Sequence, residues 1–248
     1  MKQLFSMKKS TAAAALIGIS LLLAMSVTSC KKESSTSTDS VSEEEAAEAI
    51  SQSVSTESAS MSQQSADAVI VANTELIFLP CGMEFDSSVS GANLPGAAIT
   101  NAYNVSWSWV LSCSGIGIPQ KINFDITGSS SYDAPRMSSN DNSTASFELT
   151  GLELSAPSYT MTANYQRYGT QQSKVYNKNS FTSTIVIAST DLLVSKTTQI
   201  ITSGKATVAI SGTSSSGKSF SYSGALTFLG NKQATLTMAS GHTYNISW

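Results

Sequence analysis

From about Ala68 onward, apolar and polar residues alternate with a period of two. Val105, Trp107, Trp109, Leu111 and Cys113 fall on one side of an extended chain, and Ser106, Ser108 and Ser112 on the other. The same rhythm runs through Ile122, Phe124 and Ile126, then Phe147 and Leu149, then Tyr159, Met161, Ala163 and Tyr165, then Phe181, Ile185 and Ile187. It continues through Ala206, Val208 and Ile210, Phe220 to Phe228, Ala234 to Met238, and Tyr244 to Trp248. Side chains alternate across a strand, so each run is a half-buried strand. The connections are short and rich in Gly, Asn and Ser, among them Gly212–Gly217, Gly230-Asn231 and Ser240-Gly241. Short connections make sequential strands antiparallel neighbours. The pattern predicts an all-β antiparallel meander of about nine to eleven strands. With one apolar face to bury, it closes as a sandwich or a rolled open sheet.

The period changes upstream. Ala46, Ala47, Ala49, Ile50 and Val54 lie at helical spacing, and Ser42 stands three residues before Glu45 in a capping-box pattern. The acidic run Glu43-Glu44-Glu45 would sit at the positive end of the helix dipole. A short helix is predicted from Glu43; by itself it is marginal in water, so it docks on the domain or frays. Around it, residues 30–66 are mainly Ser, Thr, Glu, Gln and Ala, a composition that buries too little apolar surface to offset chain entropy. This stretch reads as an acidic tether, dispensable for folding, in front of a β domain at 67–248.

The first residues carry Lys2, Lys8 and Lys9, then an apolar run from Thr11 to Met25. That run is shorter than the roughly 20 residues a membrane span requires and fits a secretory signal. Val27-Thr28-Ser29-Cys30 then resembles a bacterial lipobox. The resemblance implies cleavage after residue 29, a diacylglyceryl group on the Cys30 sulfur and an acylated new amino terminus. Several acyl chains anchor far more firmly than one. Losing residues 1–29 removes three Lys and takes the formal charge from −3 to about −6, of which about −5 lies in 30–66. Lys31-Lys32-Glu33 loosely resembles the export tag of surface lipoproteins in Bacteroidota-type bacteria, and Asp39-Ser40-Val41 their O-glycosylation acceptor, with Ser40 as the modified residue. The combination of lipobox, tether and Thr-rich β domain resembles Bacteroidota-type envelope lipoproteins. It implies an outer-membrane, lipid-anchored protein on the periplasmic or cell-surface face, and it brings no activity with it.

Charged residues make up 12% of the chain, about half the usual share, and there is a single His, His242. Without clustered Lys and Arg the chain is not a nucleic-acid binder. One His disfavours zinc sites and Ser/His/Asp catalysis. No cofactor is implied. With Cys30 committed to lipid, Cys81 and Cys113 are an even pair in an oxidising compartment and are expected to form a disulfide. Two segments combine Tyr and Arg and are candidate recognition loops: Tyr132, Asp133 and Arg136 in one connection, and Tyr165, Arg167 and Tyr168 at an expected hairpin tip. Asp141 between Asn140 and Asn142 offers oxygens for a weak Ca²⁺ site in a loop.

The resulting expectation is a non-enzymatic envelope lipoprotein with a binding or adhesive domain, its Ser/Thr face suited to glycans or to protein. The alternative is a carrier holding a lipid or other apolar ligand among Trp107, Trp109, Phe124, Phe147, Tyr222 and Phe228; a third is a hydrolase, its carboxylates assembled from distant strands or from Glu148 and Glu153 as neighbours.

Overall fold

The computed structural model describes residues 40–248, except Ile77 and residues 93–98. The expected signal peptide, the lipobox with Cys30, and residues 31–39 lie outside the described residues. Ten strands follow one another: β1 (Glu84–Ala92), β2 (Thr100–Cys113), β3 (Pro119–Asp133), β4 (Met137–Thr150), β5 (Ser158–Ser173), β6 (Ser180–Ser195), β7 (Ile201–Ser214), β8 (Ser219–Gly230), β9 (Gln233–Met238) and β10 (Thr243–Ser247). Each pairs antiparallel with the next in a single sheet of order β1 to β10. The predicted all-β meander is therefore present, with β1 and β10 as its edge strands among the described residues.

Burial follows the alternation. On β4 every odd-numbered residue from Met137 to Leu149 is buried, and the even-numbered ones face outward. The apolar face gathers Leu111, Ile122, Phe124, Phe147, Leu149, Met161, Tyr165, Ile185, Ile210 and Leu236, none more than 1% exposed. The sheet does not bury this face against a second sheet, so the sandwich is not formed. It curls around two helices instead.

Helix α1 (Glu43–Val54) begins with the predicted capping box: Glu45 N donates to Ser42 Oγ at 3.3 Å, and Ser42 N to Glu45 Oε2 at 3.1 Å. A 3-10 turn (Thr56–Ser58) leads into helix α2 (Met61–Glu75), which sequence periodicity did not indicate. Val41, Ile50, Val54, Met61 and Val69 are at most 1% exposed. Polar contacts reach the helices from strands far apart in the meander. His242 after β9 and Arg136 before β4 meet Glu43 and Glu48, and Asn179 before β6 meets Glu45. Tyr222 on β8 donates to the Val41 carbonyl at 2.8 Å, and Gln64 on α2 to Ser143 on β4 at 3.1 Å.

The expected tether is therefore corrected from residue 41 onward. Residues 41–66 are the buried centre of the domain, and the described chain from residue 40 on belongs to one compact unit rather than dividing at residue 66. The physical reason is that Ala46, Ala47, Ala49, Ala59, Ala68 and Ala72 are small enough to let the helices approach the sheet closely, so the sheet supplies the surface the segment lacks by itself.

Cys81 and Cys113 form the expected disulfide, with Cα atoms 5.7 Å apart. It ties the chain leaving α2 to the end of β2, beside a hydrogen bond from Gly82 N to the Leu111 carbonyl at 2.8 Å.

Candidate ligand-binding groove

The outward face of the sheet bends into an open groove of about 790 Å³ spanning β1 to β6. Strand register builds its floor. One row of facing residues runs Ser88, Ser106, Thr127, Thr144, Gln166 and Val186 across six strands. The neighbouring row runs Asp86, Ser108, Asp125, Ser146 and Asn164. Neighbouring strands lie about 4.8 Å apart, so except at Val186 each row offers a hydroxyl, amide or carboxylate at that interval. Hydroxyls and amides both donate and accept, so the floor suits ligands that do the same. The floor's interior strands have both neighbours in place, so their backbone N–H and C=O groups are already committed to the sheet ladder. Side chains, not backbone, are what the groove presents.

None of the sixteen lining residues is Lys, Arg or His. Asp86 and Asp125 flank Ser108 in one row, two strand spacings or roughly 10 Å apart. That separation suits two independent contacts, and it is too wide for both to ligate one cation at 2.3–2.6 Å.

Of the recognition residues singled out from sequence, Tyr165 alone is among those lining this groove, and its side chain is buried. Tyr165–Gln172 is no hairpin tip; it lies inside β5, which runs to Ser173. The glycine at its centre has another role. A Cβ on Gly169 would stand 2.2 Å from the Asn140 carbonyl oxygen, so this glycine allows a close approach of strands rather than a turn. Tyr165 and Arg167 point into the domain and are 1% and 2% exposed; Tyr168, on the other face, is 43% exposed. Tyr132 is also buried, at the end of β3, and the Arg167 guanidinium lies 5.1 Å from its ring centroid. Burial pushes the Tyr132 and Tyr165 phenols above their ordinary values. Of the first loop only the turn Ala134–Arg136 remains, because β4 already begins at Met137. Asp133 pairs with Lys174 there. Arg136 Nε donates to Glu48 at 2.7 Å and the guanidinium lies over Tyr176 at 5.6 Å, so this arginine clamps α1 rather than awaiting a ligand.

Asp141 is likewise no loop ligand for Ca²⁺. It sits inside β4, 2% exposed, and accepts from Arg167 Nε at 2.7 Å, Arg167 Nη2 at 2.6 Å, Gln171 Nε2 at 2.6 Å and the Ser139 hydroxyl. Arg167 Nη1 in turn donates to the Gln52 carbonyl at 3.2 Å and Ser58 Oγ at 3.1 Å. This buried pair joins the sheet to the helices, and its acceptor and donor positions are taken. His242 is the exposed turn residue expected, with Nδ1 2.8 Å from Glu43 Oε1. Burial pushes the Glu43 carboxyl up, and hydrogen bonds from Ser240 and His242 outweigh it and bring it below its ordinary value. Ser40 is partly exposed, and its carbonyl accepts from Asn179 Nδ2 at 3.1 Å.

Among the described residues, the apolar side leaves no room beside α2 for the ligand of the carrier alternative. Phe124, Phe147 and Phe228 are at most 2% exposed. The apolar crevice between α2 and β2–β3, lined by Ala68, Val105, Trp107, Phe124 and Ile126, is too small to admit a water-sized sphere. Sequence reasoning missed the groove because its signal is not local. The hint available was the unusually uncharged outward face, a surface suited to polar polymers.

No protein-family model, curated protein or solved structure matches this chain.

Proposed function

We propose that the protein is a non-enzymatic, lipid-anchored lipoprotein of the bacterial cell envelope, and that its rolled sheet binds a polar polymer in the groove across β1–β6. The groove itself carries the reading: a 790 Å³ trough whose two outward rows, apart from Val186, are hydroxyl, amide and carboxylate side chains at strand spacing. The lipobox-like Val27-Thr28-Ser29-Cys30 supports the anchor.

Ser40 lies against Asn179, and Glu43 against His242, so the described chain starts at the end of the sheet carrying the β5–β6 and β9–β10 turns. An anchor at Cys30 would hold that end close to the bilayer, since ten residues fully extended reach at most about 36 Å. A short leash keeps the groove near the envelope surface and favours capture of polymers attached there.

Two measurements test the reading. Radiolabelled palmitate should enter the wild-type chain and be absent from Cys30→Ser; equal labelling would remove the anchor. Thr144→Trp, in the groove floor, should abolish retention on immobilised envelope polysaccharide while leaving the thermal melt unchanged. Unchanged retention would place binding elsewhere.

A further inference from the structure

The groove's charge narrows its ligand, on the premise that the groove is the binding site. Asp86 and Asp125 have no hydrogen-bond or ion-pair partner among the described residues, and no cation lines the groove with them. Five acids outside the groove are paired: Asp133 with Lys174, Asp141 with Arg167, Glu148 with Lys121, Glu48 with Arg136 and Glu43 with His242. In a chain with only 12% charged residues, two unpaired carboxylates lie together in the floor of this outward groove.

We propose that the groove takes a cationic, hydroxyl-rich glycan: an amino-sugar polymer with free amines. Two ammonium groups on separated sugar units would meet Asp86 and Asp125, and the ring hydroxyls between and beyond them would meet Ser108, Thr127, Ser146 and Asn164. The spacing of roughly 10 Å between the acids requires a ligand longer than one sugar ring. Charge-assisted hydrogen bonds are shorter and stronger than neutral ones, so the amines set orientation while the hydroxyl lattice sets register.

A basic peptide is the competing cation, and the floor argues against it. An extended peptide binds a sheet chiefly through its main chain at a free edge, with pockets for alternate side chains. Here β2 to β6, which make most of the floor, have both neighbours in place, so only β1 at the groove's rim offers an edge, and Val186 is the one large apolar side chain in the two outward rows.

The test uses the chain beginning at residue 30 with Cys30→Ser, titrated calorimetrically with three probes: a six-unit glucosamine oligomer, its fully N-acetylated counterpart, and hexalysine. The glucosamine oligomer should bind, and the acetylated one about tenfold more weakly or worse. Asp86→Asn with Asp125→Asn should remove that preference. Raising salt to about 0.15 M, where the Debye length is about 8 Å, should weaken only the amine-dependent part. Equal binding of both oligomers, indifferent to the two Asn substitutions but lost in Thr144→Trp, overturns the amine assignment and leaves the groove standing. Binding of the glucosamine oligomer that survives Thr144→Trp overturns both. Hexalysine binding as tightly as the amino sugar, or no binding of the glucosamine oligomer at low salt, overturns the inference.

Discussion

Removing residues 40–66 should unfold the domain, although composition alone marks them as dispensable. The comparison is between a chain starting at Ser40 and one starting at Asp67. The shorter chain loses Val41, Ile50, Val54 and Met61, each at most 1% exposed. Full burial of such side chains is worth about 1.5–3 kcal/mol each, an upper estimate because the unfolded chain is itself partly collapsed. The loss extends to the partners left behind. Arg167 forfeits its contacts with the Gln52 carbonyl and Ser58 and keeps its charge in an opened interior. The apolar face of the sheet also loses part of its cover. The sum is on the order of the whole stability of a domain, about 5–15 kcal/mol.

Far-UV circular dichroism and differential scanning calorimetry measure the result. The chain from Ser40 should melt in one cooperative transition, and the chain from Asp67 should show none and bind a hydrophobic dye. A milder version, Ile50→Ala, should cost about 2–5 kcal/mol as a core truncation and lower the Tm by on the order of 10 °C for a domain this size. If the chain from Asp67 melts cooperatively within a few degrees of the longer one, the helices are an appendage and the reasoning fails.

Breaking the buried pair on one side only, by Asp141→Ala or Arg167→Met, should destabilise by about 3–5 kcal/mol, whereas Asp141→Leu with Arg167→Met should cost less than either alone; urea melts decide, and single losses below about 1 kcal/mol would refute it. Replacing both cysteines, Cys81→Ser with Cys113→Ser, opens a link across 32 residues and should cost about 3–4 kcal/mol in the chain-entropy model, read as a lower denaturant midpoint matched by wild type under reductant. Burial raises the Asp67 carboxyl above its ordinary value, against a hydrogen bond from Gln63. Its contribution therefore favours folding at low pH and is lost as pH rises through the folded pKa, so Asp67→Asn should raise the Tm near neutrality and converge with wild type at pH about 3; a constant offset at every pH would contradict this.

The strands were legible because one-sided burial imposes a period of two that no other element shares. The two charged residues expected in loops carried the same signal. Arg167 is in phase with Tyr159, Met161, Ala163 and Tyr165, and Asp141 with Ala145, Phe147 and Leu149, so both stand on the apolar face. A charge in phase with an apolar stripe calls for a buried partner, and each is the other's. The helices were only half legible: α1 has a cap and a stripe, whereas Gln64 and Ser65 interrupt the buried side of α2, and the sheet around it determines its burial. The groove lies beyond periodicity altogether. Asp86, Ser108 and Asp125 come from three strands, and they share a row only because the β1–β2 and β2–β3 registers bring them opposite one another. A shift of one residue in either register would turn an acid to the other face of the sheet or out of the row, so the site depends on pairing geometry that the local pattern of this chain does not encode.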